Sequence, residues 1–175
     1  MFRIFKSLLP ILAITTAVGI WFIHSSPATS AQWQPITQAP KALVQQFQRD
    51  IRSDNEAPDI AGTQFLKVQT KNQTVPLYLI DTSSTLRSQR RPSFCGRAGC
   101  LFLGYIQQQG SNPFRQVTSG YLNPFLPPGT EKVTVTSNIR SGLPCLQFKQ
   151  MSHDRFDSQL TTVTYCFNGN TYMQQ

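Results

Sequence analysis

Residues 160–173 read Leu160-Thr161-Thr162-Val163-Thr164-Tyr165-Cys166-Phe167-Asn168-Gly169-Asn170-Thr171-Tyr172-Met173, and this stretch decides the fold. Val163, Tyr165 and Phe167 alternate with Thr164 and Cys166. That is the period of two which puts apolar side chains on one face of a strand. The Asn168-Gly169 step then interrupts the run. Both residues tolerate positive φ, so the step predicts a turn into a last short strand at residues 171–173.

Just upstream, residues 143–149 read Leu-Pro-Cys-Leu-Gln-Phe-Lys. Leu146 and Phe148 share one face there, and Cys145 takes the other. If this strand neighbours 160–167 with apolar faces aligned, Cys145 and Cys166 fall on one face as well. The phase therefore predicts a Cys145–Cys166 disulfide, across the sheet or over its edge. Closing a loop of about 20 residues stabilises by about 3 kcal/mol in the chain-entropy account. Cys95 and Cys100 are then left to close the small loop Cys-Gly-Arg-Ala-Gly-Cys, whose glycines permit a tight backbone. Two other pairings of four cysteines stay formally open.

Further toward the N-terminus the same strand grammar continues. Residues 65–70 and 75–81 are joined by Lys71-Asn72-Gln73-Thr74, a hairpin connection. Strands are expected at 101–108, 114–122 and 132–137, with the rigid Asn-Pro-Phe-Leu-Pro-Pro-Gly loop at 123–129. One segment reads as helix. Leu43, Val44, Phe47 and Ile51 fall on one face after Pro40, and Gln45, Gln46, Gln48 and Arg49 fill the other. The expected fold is mostly β: an N-terminal helix followed by about seven or eight antiparallel strands in a sandwich or curled sheet, stapled by disulfides.

The chain of 175 residues opens with Arg3 and Lys6, an apolar run from about Leu8 to Ile23, and a small polar stretch ending at Ala31. This is the order of a secretory signal peptide. Residues 1–31 are expected to be cleaved, with an uncleaved anchor as the alternative; membrane contact is expected only in that case. The run falls short of the roughly 20 apolar residues that span a bilayer core. Residues 32–39 read as a linker with Trp33, and residues 40–175 as one exported domain. All four cysteines lie in that part, and an even count in an oxidising compartment reads first as two disulfides. The expected location is the periplasm or the exterior, or else a membrane-anchored domain outside the cytoplasm. Zinc sites use tighter cysteine spacings and more histidine than His153, the single one in residues 32–175, so neither a metal nor a cofactor is expected.

The segment Cys95-Gly96-Arg97-Ala98-Gly99-Cys100 leading into Leu101-Phe102-Leu103 resembles a pattern in uncharacterised exported bacterial domains. Those domains carry a Cys-Gly-x-x-Gly-Cys loop and end on Phe-x-Gly-x-x-Tyr, here Phe167 to Tyr172. A Gly-Leu-Pro step, here Gly142-Leu143-Pro144, also matches. Cys145 and Cys166 depart from the pattern. The resemblance spans roughly residues 65–172; it implies a small envelope domain and carries over no catalytic residue.

No constellation points to catalysis. Gly-x-Ser-x-Gly and His-Glu-x-x-His are absent. His153 is flanked by Ser152 and Asp154, too close in sequence to form a triad by themselves. The acids Asp50, Asp54, Glu56, Asp59, Asp81, Glu131, Asp154 and Asp157 fall mostly in apparent turns; Asp81, at a strand end, is the least ordinary. The chain is therefore not expected to be an enzyme, and a hydrolase using His153 is the lesser alternative.

Charge is the better signal. The chain has 16 Lys and Arg against 8 Asp and Glu. No acid occurs between Thr82 and Thr130, and Arg87, Arg90, Arg91 and Arg97 surround the first cysteine pair, with Arg115 further on. A guanidinium suits phosphate and carboxylate oxygens. These four arginines are the candidate ligand-binding residues, and a solvated basic surface is the plainer reading. The expected partner is an anionic envelope component or an envelope protein. Nucleic acid is not expected, given the modest charge and the export signal. A structural accessory or inhibitor-like role is the alternative. Phe94, Tyr105, Phe114, Tyr121 and Phe125 lie near these arginines in sequence. Phe125 and Leu126 are expected to pack under their loop, the ordinary fate of such side chains, rather than form an exposed apolar rim.

Overall fold

Two strands buried on both faces organise the molecule. In the computed structural model, which describes residues 32–52, 60–83, 94–151 and 159–175, these are β3 (Leu77–Asp81) and β5 (Gly99–Gln107). Leu77 and Leu79 point one way and Tyr78 and Ile80 the other, and all four are buried. Double burial is why both strands read as nearly continuous apolar runs.

Around them forms an antiparallel sheet. β1 (Gln34–Pro35) pairs with β2 (Gln64–Val68), β2 with β3, and β3 with β5. β4 (Cys95–Gly96) pairs with the start of β5, and β6 (Phe114–Leu122) runs along β5. The register shifts at Gly104/Tyr105, where Val117 is the extra residue of β6. A second antiparallel sheet follows as a meander: β7 (Val133–Arg140), β8 (Leu143–Met151), β9 (Leu160–Phe167) and β10 (Tyr172–Gln174).

The sheets share one apolar core. Leu66, Leu79, Phe102 and Val117 from the first meet Val133, Leu146, Phe148 and Phe167 from the second. Phe102 and Phe148 meet edge to face at 5.3 Å, as do Phe148 and Tyr165. On the other side of the first sheet lies α1 (Lys41–Asp50), which begins after Pro40 and buries Leu43 and Phe47 against Phe65, Tyr78, Ile80 and Tyr105. The order is thus helix, sheet, sheet.

Side chains lock the hairpins. Gln73, only 8% exposed, turns inward at the β2–β3 connection: its amide donates to Val68 O at 3.0 Å and Val75 O at 2.7 Å, and its Oε1 accepts from Thr70 N at 3.0 Å. The same hairpin touches the β7–β8 turn, where Thr74 N donates to Gly142 O at 3.1 Å. Gly142 has φ +84°, and a Cβ there would lie 2.5 Å from Thr74 Oγ1, so this junction requires glycine.

Both expected disulfides are present, Cys95–Cys100 and Cys145–Cys166. Cys95 and Cys100 are direct strand partners. The β8–β9 register, with Leu146 opposite Tyr165, likewise sets Cys145 opposite Cys166, so this bridge crosses the sheet rather than its edge. Two disulfides suit an oxidising, non-cytoplasmic environment. Among the described residues no helix is long and apolar enough to cross a membrane.

Three expectations change. Among the described residues there are ten strands rather than seven or eight, because β1 and β4 are two-residue strands with no periodicity to betray them. The stretch 32–39 is built into the fold rather than linking to it: β1 lies there, followed by a single 3-10 turn at Ile36–Gln38, and Ile36 is 1% exposed. β7 runs on to Arg140 instead of stopping near 137, through an irregularity between Val135 and Ile139. Residues 1–31, expected to be a signal peptide, lie outside the described residues.

Candidate functional site

The first cysteine pair builds a two-residue hairpin. Cys95–Gly96 and Gly99–Cys100 pair through the register, leaving Arg97 and Ala98 at the tip. Gly99 has φ +117°, and a Cβ there would stand 2.4 Å from Leu122 O. The hairpin is thus pressed onto the end of β6, an approach only glycine permits.

β6 leaves that contact as Asn123-Pro124-Phe125. Asn123 Oδ1 accepts from Phe125 N at 2.8 Å, a side-chain turn that redirects the chain. Phe125 consequently stands 78% exposed, and Tyr121, at the end of β6, 57%. This overturns the expectation that Phe125 packs under its loop; Leu126 is half-buried. The cause is local, because the turn and Pro124 hold the ring away from the sheet.

Hairpin and loop together border one cleft of about 490 Å³. Arg97, Tyr121, Asn123 and Phe125 line it, with Gln150 and Met151 from the end of β8. A second cavity of about 190 Å³ shares Tyr121 and Gln150 and reaches Phe102, Phe148 and Tyr165 between the sheets. None of the described residues lining either space is acidic. The cleft thus offers a guanidinium, two exposed rings and side-chain amides.

Compared with protein-family models, with curated proteins and with solved structures, the chain gives no match. Its own geometry therefore carries the functional argument.

Of the four candidate arginines, Arg97 is exposed on the cleft; Arg87, Arg90 and Arg91 lie outside the described residues. Arg115 is away from the cleft. It donates to Asn170 O at 2.8 Å and Asn170 Oδ1 at 3.0 Å and sits 6.0 Å from the centre of the Phe167 ring, a structural role. Among the nearby aromatics, Tyr105 and Phe114 are core residues, and Phe94 packs 6.3 Å from Phe47.

His153, Asp154, Asp157, Asp54, Glu56 and Asp59 fall outside the described residues. The remaining acids are engaged. Asp50 accepts from Tyr105 Oη at 2.9 Å and from Gln46 at 2.8 Å, and Glu131 accepts from Thr134 at 3.1 Å. Asp81 is 5% exposed and pairs with Lys132 Nζ at 3.1 Å. Its two oxygens also accept from Ser83 N at 2.8 Å and Ser83 Oγ at 2.7 Å, and Lys132 contacts Ser83 Oγ as well. A serine beside a lysine invites comparison with a nucleophile and base. Here the hydroxyl proton is given to Asp81, and Ser83 is 3% exposed, closed to a substrate carbonyl. The cluster ties the first sheet to the second.

Three tyrosines titrate above their usual range. Burial raises Tyr78 and Tyr172. Burial also raises Tyr105, with the charge and hydrogen bond of Asp50 adding to it. None of them lines the cleft. Among the described residues no group of three His, Cys, Asp or Glu side chains converges as a metal site.

Sequence reasoning missed Gln150, Met151 and the Lys132 partner of Asp81. No local pattern marks them, since each meets its neighbours only through the stacking of the two sheets.

Proposed function

We propose that this chain is an exported binding domain of the cell envelope that recognises an anionic ligand through the cleft bordered by Arg97. The observation that carries this reading is the meeting of two sequence features in one place. The arginine-bearing cysteine hairpin and the aromatic Pro-rich loop border the same cleft, and no described lining residue is acidic. Arg87, Arg90 and Arg91 precede Arg97 within a stretch, Thr82 to Thr130, that holds no acid, so the sequence around the hairpin is basic. The domain works outside the cytoplasm, in the periplasm or beyond, in keeping with its disulfides and with the signal-like residues 1–31.

The test is retention of the oxidised protein on anionic probes at low and high salt, beside a variant with Arg87, Arg90, Arg91 and Arg97 changed to serine. Retention by the native protein alone, lost at high salt, is the expected result. Equal retention of the two proteins, or none, overturns the reading.

A further inference from the structure

Resting on that reading, we infer that the anionic ligand is an acidic glycan, a short run of sugar rings bearing carboxylates. A pyranose ring has an apolar C–H face and a rim of hydroxyls, so it needs a flat apolar platform beside polar groups. Tyr121 and Phe125 supply two exposed rings beside the amide of Gln150. The backbone that carries them is fixed before any ligand arrives. Leu122 between them is buried, Asn123 Oδ1 fixes Phe125 N, and Gly99 pins the hairpin against Leu122 O. Such preorganisation reduces the ordering cost of binding.

Arg97 supplies the charge. A guanidinium pairs with a carboxylate through two parallel hydrogen bonds. The shape suits a chain better than a lone ion, because the cleft and the cavity that reaches Tyr165 lie side by side, with Tyr121 and Gln150 lining both. A bilayer would be met better by a convex apolar tip than by rings bordering a concave surface with polar side chains.

The experiment is titration calorimetry of the oxidised protein with hexagalacturonate, with neutral cellohexaose, and with phosphatidylglycerol vesicles, at low and high salt. Hexagalacturonate is expected to bind and cellohexaose not. Tyr121→Ala and Phe125→Ala are each expected to weaken binding about tenfold, as truncated aromatic anchors do. Arg97→Ser is expected to weaken it about tenfold and flatten its salt dependence. Both rings are exposed, so the variants keep their fold, checked by circular dichroism.

Vesicle binding that needs Arg97, with no hexagalacturonate binding, overturns the glycan inference and leaves the anion reading standing. Hexagalacturonate binding indifferent to Tyr121→Ala and Phe125→Ala also overturns it. Equal binding of cellohexaose, or no binding of either anionic probe, overturns both.

Discussion

Asp81 and Lys132 meet at 3.1 Å where the end of β3 faces the residue just before β7. The carboxylate is nearly buried and the ammonium partly exposed, with side-chain exposures of 7% and 29%. Asp81 also accepts both the backbone N–H and the hydroxyl of Ser83. The pair thus fixes the first sheet to the second and holds the chain where it departs toward the arginine-bearing segment.

Removing the acid strands more than removing the base. Asp81→Ala takes the shared acceptor from two Ser83 donors and leaves the Lys132 ammonium with Ser83 Oγ but no counter-charge, and is expected to destabilise by about 2–3 kcal/mol. Lys132→Met removes a partly exposed ammonium and leaves the nearly buried carboxylate still accepting from Ser83 N and Ser83 Oγ. It is expected to cost about 1 kcal/mol. Urea unfolding of the two variants measures both, and equal losses would show that the ion pair, not the Ser83 turn, dominates.

The glycines of the cysteine hairpin should respond oppositely. Gly99→Ala puts a Cβ 2.4 Å from Leu122 O in a left-handed backbone and must push the hairpin off β6. A loss of about 2 kcal/mol or more is expected, together with a disturbed cleft. At Gly96 nothing lies within 4 Å of an added Cβ, and Gly96→Ala should stay within about 0.5 kcal/mol of the native protein. Thermal unfolding of the two alanine variants checks the contrast.

What the sequence makes legible follows the range of the interaction. The α1 face, the β9 alternation and the Asn168-Gly169 turn are local patterns, and all are found. The Cys145–Cys166 pairing is legible because the apolar faces set the register, which sets the opposite face as well. Ile36 and the two-residue β1 are not, since nothing periodic distinguishes them from a linker. Asp81 can be picked out as unusual, but Lys132 lies 51 residues away and only the sheet stacking brings it near. The cleft is half legible. Arg97 and the Tyr121–Phe125 loop are visible in sequence, whereas Gln150 joins them from β8. The exposure of Phe125 depends on one Asn123 hydrogen bond that composition does not reveal.

The two disulfides should differ in worth with the loop each closes. In the chain-entropy account the Cys145–Cys166 bridge, with a separation of 21 residues, contributes about 3 kcal/mol, and the Cys95–Cys100 bridge, with a separation of 5, about 2 kcal/mol. Paired serine substitutions, one bridge at a time, are expected to lower stability in that order. Cleft binding should respond the other way, because only Cys95–Cys100 holds the hairpin that carries Arg97. Calorimetric unfolding and ligand titration of the two double variants separate these effects.

Tyr105 links α1 to the sheet and makes stability depend on alkaline pH. Its hydroxyl donates to Asp50 at 2.9 Å, and it is fully buried. Burial, the Asp50 charge and that hydrogen bond all raise its pKa above the ordinary value of 10.0. The unfolded chain therefore loses the phenolic proton first. Tyr105's contribution is complete below about pH 10 and declines as pH rises toward the folded pKa, by about 1.4 kcal/mol per pH unit. Tyr78 and Tyr172, raised by burial, add slope of the same sign. Tyr105→Phe should cost about 1 kcal/mol near neutral pH through the lost hydrogen bond to Asp50. It should also lose less stability than the native protein between pH 10 and 11, so the two curves converge. Urea midpoints across that interval decide it, and parallel curves would show that Tyr105 ionises as readily in the folded chain as in the unfolded one.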